Sequence, residues 1–71
     1  MTKTNDPPTY KTYWVSVTFA NGRRADRKFL RREDAQRYFD QRIQDGKACN
    51  VMMSGTTDDG DCDGIDGWWA N

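Results

Sequence analysis

Apolar and polar positions alternate with a period of two along residues 10–22, YKTYWVSVTFANG. Tyr13, Val15, Val17 and Phe19 fall on one side, and Trp14, Ser16, Thr18 and Ala20 on the other. With this content of aromatic and β-branched residues, the alternation predicts a half-buried strand over Tyr10–Phe19. Asn21-Gly22 supplies the positive-φ chemistry of a tight hairpin. A two-residue loop would set Phe19 opposite Arg24 and Val17 opposite Asp26. A three-residue loop, Ala20-Asn21-Gly22 with the glycine left-handed, sets Val17 opposite Ala25 and Tyr13 opposite Phe29. A slip of one residue turns every side chain to the other face, so the three-residue loop is expected. Arg27 then lies opposite Val15 on the inner face, its stem covering apolar surface and its head reaching water. The second strand is expected over about Arg23–Leu30.

The period then changes. Ala35, Phe39 and Ile43 repeat every four residues, flanked by Tyr38 and Leu30, which predicts a helix from Arg31 or Arg32 to Asp45. Glu33 and Asp34 suit its first turn, and Glu33 stands four residues before Arg37, the spacing of a favourable pair. Gly46 fits the stop position. A third strand follows over about Lys47–Ser54, with Cys49, Val51 and Met53 expected toward the helix. Gly55–Gly64 reads as a turn-rich acidic loop, and Ile65–Trp69 as a short terminal strand with one indole on each side. The expected architecture is α+β, in the order ββαββ: an antiparallel sheet with one helix packed on one face. Residues 1–9, with Pro7-Pro8, read as a flexible N-terminal arm, and residues 10–71 as a single domain. The expected core is Tyr13, Val15, Val17, Phe19, Phe29, Ala35, Phe39, Ile43, Val51 and Met53. One helix cannot cover both faces of four strands. The other face should therefore show Trp14, Ser16, Thr18, Lys28, Asn50, Met52 and one of the two adjacent tryptophans.

Composition narrows the function classes. A chain of 71 residues has little room for a deep catalytic cleft. It contains no His, and its two cysteines, Cys49 and Cys62, lie in ordinary strand and loop contexts. Neither a base–nucleophile pair nor a four-ligand zinc site can be assembled from these residues, so no enzymatic activity and no cofactor are expected. A Cys49–Cys62 bridge is open if the last two strands are neighbours, although a reducing cytosol favours free thiols. No apolar run is long enough to span a membrane, and no signal-peptide pattern follows Met1, so a cytoplasmic location is expected.

The formal net charge is zero, but it is unevenly spread. All eleven Lys/Arg and six Asp/Glu precede residue 51, while five Asp and no base follow it. This asymmetry implies either an internal charge match or two interaction surfaces. Asp59, Asp61 and Asp63 with Gly64 match the opening of a calcium loop, D-x-D-x-D-G, in which alternate carboxylates converge on one cation. The match then fails, because Ala70 stands where the bidentate acid belongs; a solvated acidic loop is the plainer reading. The basic stretch Arg23, Arg24, Arg27, Lys28, Arg31 and Arg32 is an alternative nucleic-acid surface. A strand would split it between two faces, and a charged strand edge explains it as well. Trp14, Trp68 and Met52 are of the types enriched at interfaces. Together with Lys28 and with Asp58, Asp59, Asp61, Asp63 and Asp66 they form the expected partner-binding set. A second copy of the chain is one partner such a surface could take.

The run Trp14–Phe19 with Asn21-Gly22, then Arg32-Glu33-Asp34-Ala35 through Tyr38-Phe39, and the closing Gly67-Trp68-Trp69 resemble a format met among short orphan proteins of phages and plasmids. Several anti-CRISPR proteins are similar in size, in placing one helix on an antiparallel sheet and in mixing acidic and basic patches. The resemblance spans residues 10–69 and concerns format. It implies a non-enzymatic inhibitor, acting in the host cell's cytoplasm, that occupies a surface of a host protein or ribonucleoprotein complex.

Overall fold

The computed structural model describes residues 10–70; the N-terminal arm expected over residues 1–9 lies outside them. The elements are β1 (Thr12–Phe19), β2 (Arg24–Phe29), α1 (Arg32–Gln44), β3 (Ala48–Thr56) and β4 (Cys62–Trp69). They form one antiparallel sheet in the order β2-β1-β3-β4, with the helix packed on β1, β2 and β3. This is the α+β, ββαββ architecture that the periodicities predict. Since β2 and β3 both run antiparallel to β1, they are parallel to each other, and parallel strands need a long crossover. The helix supplies it. Its 13 residues span about 20 Å at 1.5 Å per residue, close to the length of the strands beneath.

The first hairpin has the three-residue loop. Phe19 N–H donates to Arg23 O at 2.8 Å, Gly22 N–H donates to Phe19 O at 2.9 Å, and Gly22 has φ 92°. Val17 therefore faces Ala25, and Tyr13 faces Phe29. The second hairpin repeats this geometry. Thr57 N–H donates to Asp61 O at 2.9 Å, Gly60 N–H donates to Thr57 O at 3.0 Å, and Gly60 also has φ 92°. The loop expected over Gly55–Gly64 is thus much shorter. Strand β3 continues to Thr56 and β4 begins at Cys62. Asp59-Gly60 carries the same turn signal as Asn21-Gly22.

Helix α1 starts at Arg31 without a side-chain cap and ends where Gly46, at φ 73°, leaves the right-handed region. Arg37 pairs with Asp34 at 3.7 Å rather than with the expected Glu33, and Arg42 pairs with Asp45 at 2.9 Å. Both pairs are spaced i, i+3, an alternative neighbour on the same helix surface.

Tyr13, Val15, Val17, Ala35, Phe39, Ala48, Val51 and Met53 are buried, with Tyr10, Phe19, Phe29, Tyr38, Ile43, Ile65 and Trp68 packed around them. Every expected core residue lies in one of these two groups. Three expectations change. Cys49 is exposed and Ala48 takes the buried position, because Phe19 pairs with Ala48 while Thr18 pairs with Asn50. Cys49 is therefore an extra residue in β3, a bulge that reverses parity at that end. Leu30 does not flank the helical stripe; it is 73% exposed. Ile65, between the pairs Met53–Asp66 and Ser54–Gly64, is the extra residue of a second bulge and joins the core margin.

Phe39→Ala should cost about 3–5 kcal/mol through the cavity it leaves, whereas Leu30→Ala should change stability by less than about 0.5 kcal/mol. Urea unfolding of the two variants checks both. Equal stabilities would show that the helix does not sit on the sheet through Phe39.

Candidate functional site

Burying Val15, Val17, Val51 and Met53 under the helix turns the alternate residues of the same strands to the other side of the sheet. On this open face Trp14 lies opposite Lys28 and Ser54, Ser16 opposite Asp26 and Met52, and Thr18 opposite Arg24 and Asn50. Trp14 and Met52 are each 37% exposed. The indole beside them is that of Trp69, 64% exposed, and not that of Trp68. Trp68 pairs with Val51 and packs against the core margin. Gly67 faces Met52 across the ladder, and a Cβ there would lie 2.9 Å from Met52 Sδ and 3.1 Å from the Trp69 ring. The missing side chain at Gly67 is what lets Met52 and Trp69 close over the backbone.

The basic stretch is divided as strand parity requires. Arg24 and Lys28 belong to the open face, with Arg24 3.9 Å from Asp26. Arg27 lies on the helix side, its guanidinium 5.3 Å from the Tyr38 ring centre and 5.9 Å from that of Phe29. Arg42 stands 5.0 Å from the Tyr38 ring centre, so two cations share one aromatic side chain. Arg23 closes the first hairpin, while Arg31 stands at the uncapped N-terminal boundary of the helix and Arg32 begins it. These six residues do not converge on one patch. A shallow groove of about 280 Å³ lies beside β2, lined by Phe29, Asp34, Arg37, Tyr38 and Gln41. Its cation is already bonded to Asp34.

The acidic residues occupy the opposite edge. Asp58 and Asp59 form the tip of the second hairpin, Asp61 closes it, and Asp63 and Asp66 lie on edge strand β4. None of the ion pairs among the described residues uses these five carboxylates. The charge asymmetry is therefore set out across the sheet, with a basic edge at β2 and an acidic edge at β4. Asp61 and Asp63 fall in extended chain, where positions two apart are separated by about 6.8 Å. That spacing does not gather carboxylates around one cation, and among the described residues no group of three or more His, Cys, Asp or Glu stands close enough to hold a metal ion. Asp66 Oδ1 accepts the Gly67 N–H at 2.8 Å, occupying a backbone donor of the edge strand. Cys49 and Cys62 are free and exposed. Their strands are neighbours, but Cys49 accepts from Ala70 N–H while Cys62 pairs with Thr56, at opposite ends of the ladder. Their separation of about 23 Å rules out a bridge.

The periodicity did not reveal one contact. The half-buried Tyr10 ring lies flat on Gly55, where a Cβ would collide with it, and meets Tyr13 edge-on at 5.8 Å. Partial burial raises the Tyr10 hydroxyl above its ordinary value, and so does the Asp63 carboxylate that accepts its hydrogen bond at 3.3 Å.

Two outcomes follow for these residues. The raised Tyr10 value means that the protonated phenol is favoured by folding. Its contribution is present below the ordinary tyrosine value of about 10 and is lost as pH rises through the folded-state value. The stability difference between wild type and Tyr10→Phe should therefore shrink above that pH; a constant difference would count against the Asp63 bond. Millimolar calcium should leave the melting temperature unchanged, since only a ligand of the native state raises it. A calcium-dependent rise that disappears in Asp61→Ala would reverse this conclusion. In comparisons with protein-family models, with curated proteins and with solved structures, no match to the chain is found.

Proposed function

We propose that the chain acts by binding rather than by catalysis, occupying a surface of a protein or ribonucleoprotein partner with its open sheet face. Inhibition of a host complex, as the format shared with anti-CRISPR proteins implies, is the form of this activity that we favour. The observation that carries the reading is the cluster of Trp14, Met52 and Trp69 on the sheet face the helix leaves uncovered. Large aromatic side chains desolvated at an interface are typical hot spots, each worth about 2 kcal/mol or more on truncation. The acidic edge plays a different part. Its exposed carboxylates steer a basic partner and add little to the affinity of the docked complex. Among the described residues no helix is long and apolar enough to cross a membrane.

A second reading, nucleic-acid binding, draws on Arg24 and Lys28, which share the open face with the indoles; bases stack on aromatic platforms flanked by cations. Recovery of a partner with and without nuclease, followed by binding kinetics at two salt concentrations, separates the two. Trp14→Ala should speed dissociation with little salt dependence. Neutralising Asp58, Asp59 and Asp61 together should slow association and flatten its salt dependence. If the triple variant binds like wild type, while Arg24→Ala with Lys28→Ala abolishes binding and nuclease removes the partner, the nucleic-acid reading replaces the first.

A further inference from the structure

Three of the four exposed large apolar side chains, Trp14, Met52 and Trp69, form a line across the open face. Trp14 sits on β1. Met52, on the next strand, is opposite Ser16, two residues further along. Trp69, on β4, is opposite Asn50, which is opposite Thr18, again two residues further. Each step across one strand thus advances two residues along it. With strands about 4.8 Å apart and about 3.4 Å per residue, each step is about 8 Å and the whole diagonal about 17 Å. Its two flanks differ. On one side stand Lys28, Asp26 and Arg24, all exposed. On the other stand only small residues, Ser54, Thr56, Cys62, Gly64 and Gly67.

We propose that this diagonal seats an amphipathic α-helix of a partner protein, its apolar face on the stripe and an acidic border against Lys28 and Arg24. The proposal rests on the open-face reading above and specifies its partner. A narrow apolar line matches a partner whose apolar groups are also in line, and a helix offers this through residues at i, i+3 or i+4, and i+7. At 1.5 Å per residue, the diagonal accommodates about 11 helical residues, or three turns. The small flank leaves room for the body of the helix, and the taller flank supplies a cation, since Lys28 has no ion-pair partner among the described residues. The described residues of a second copy bring no such helix. The apolar face of α1, Ala35 and Phe39, is buried, and its outer side carries Glu33, Arg37, Asp40 and Gln44.

The test is selection of displayed random peptides of about 18 residues on the full chain, with counter-selection on Met52→Asp. Trp69→Ala serves as a second variant, and both are checked for an unaltered melting curve. The enriched peptides should carry apolar residues at helical spacing with Asp or Glu along one border. A synthetic consensus peptide should gain helical circular dichroism on binding. It should bind both variants about tenfold or more weakly, and Lys28→Ala should lessen the salt dependence. Enriched peptides that alternate at i and i+2, or that stay non-helical when bound, overturn the helix while leaving the open face as the binding surface. Peptides that bind both variants as tightly as wild type overturn the open-face reading as well. A concentration-dependent dimer that Met52→Asp abolishes gives the face to a second copy and overturns the helix, and failure to enrich any sequence also overturns it.

Discussion

The burial of Tyr13, Val15 and Val17 along the inner side of β1 is the constraint on which the rest of the molecule depends. The strand has neighbours on both sides and the helix above it, and both valines are fully buried. Removing such side chains from water stabilises the fold by about 1.5–3 kcal/mol each. A register slip of one residue would forfeit all three and bury Ser16 and Thr18 in their place. The same alternation leaves Trp14 outside. The exposed face is thus a consequence of the core: what is left in solvent is set by what the helix must cover.

Two single-residue irregularities then decide the details that alternation leaves open. Continued without interruption from Asp63, opposite Gly55, parity along β4 would carry Trp69 inward and Trp68 outward. The extra residue at Ile65 reverses this. It brings Ile65 to the core margin, puts Trp68 beside Val51, and sends Trp69 out over Gly67 next to Met52. The bulge at Cys49 does the same at the start of β3, exchanging a thiol for the small Ala48 beneath the helix. Both bulges adjust which side chains are presented without disturbing the pairing beyond them.

The charges follow the strand order. Because β2 and β4 are the two edges, the basic and acidic segments lie at opposite ends of the sheet, each where a free strand edge would otherwise invite pairing with another chain. The ion pairs of the described residues are local to β2 or to α1. The separation of the basic and acidic segments is therefore closed by no ion pair among the described residues. It leaves two surfaces of opposite sign with the nearly neutral, apolar open face between them.

The sequence by itself determined the elements governed by local periodicity and turn chemistry. These were β1 with its three-residue hairpin and register, a helix phased by Ala35, Phe39 and Ile43, and a sheet face bearing Trp14, Lys28 and Met52. Each depends on neighbours only a few positions apart, where sterics and hydrophobic alternation suffice. Asp59-Gly60 carried the signal of the second hairpin too, but it stood among so many turn-forming residues that the tight loop was not distinguished from a long one. Only the tertiary structure decided the position of Leu30, the exchange of Cys49 for Ala48, the choice of Trp69 over Trp68, the Tyr10–Gly55 contact and the dispersal of the aspartates. In each case the outcome depends on which strand lies alongside and whether one extra residue fits against it. That is a long-range packing balance which no period within a single segment encodes.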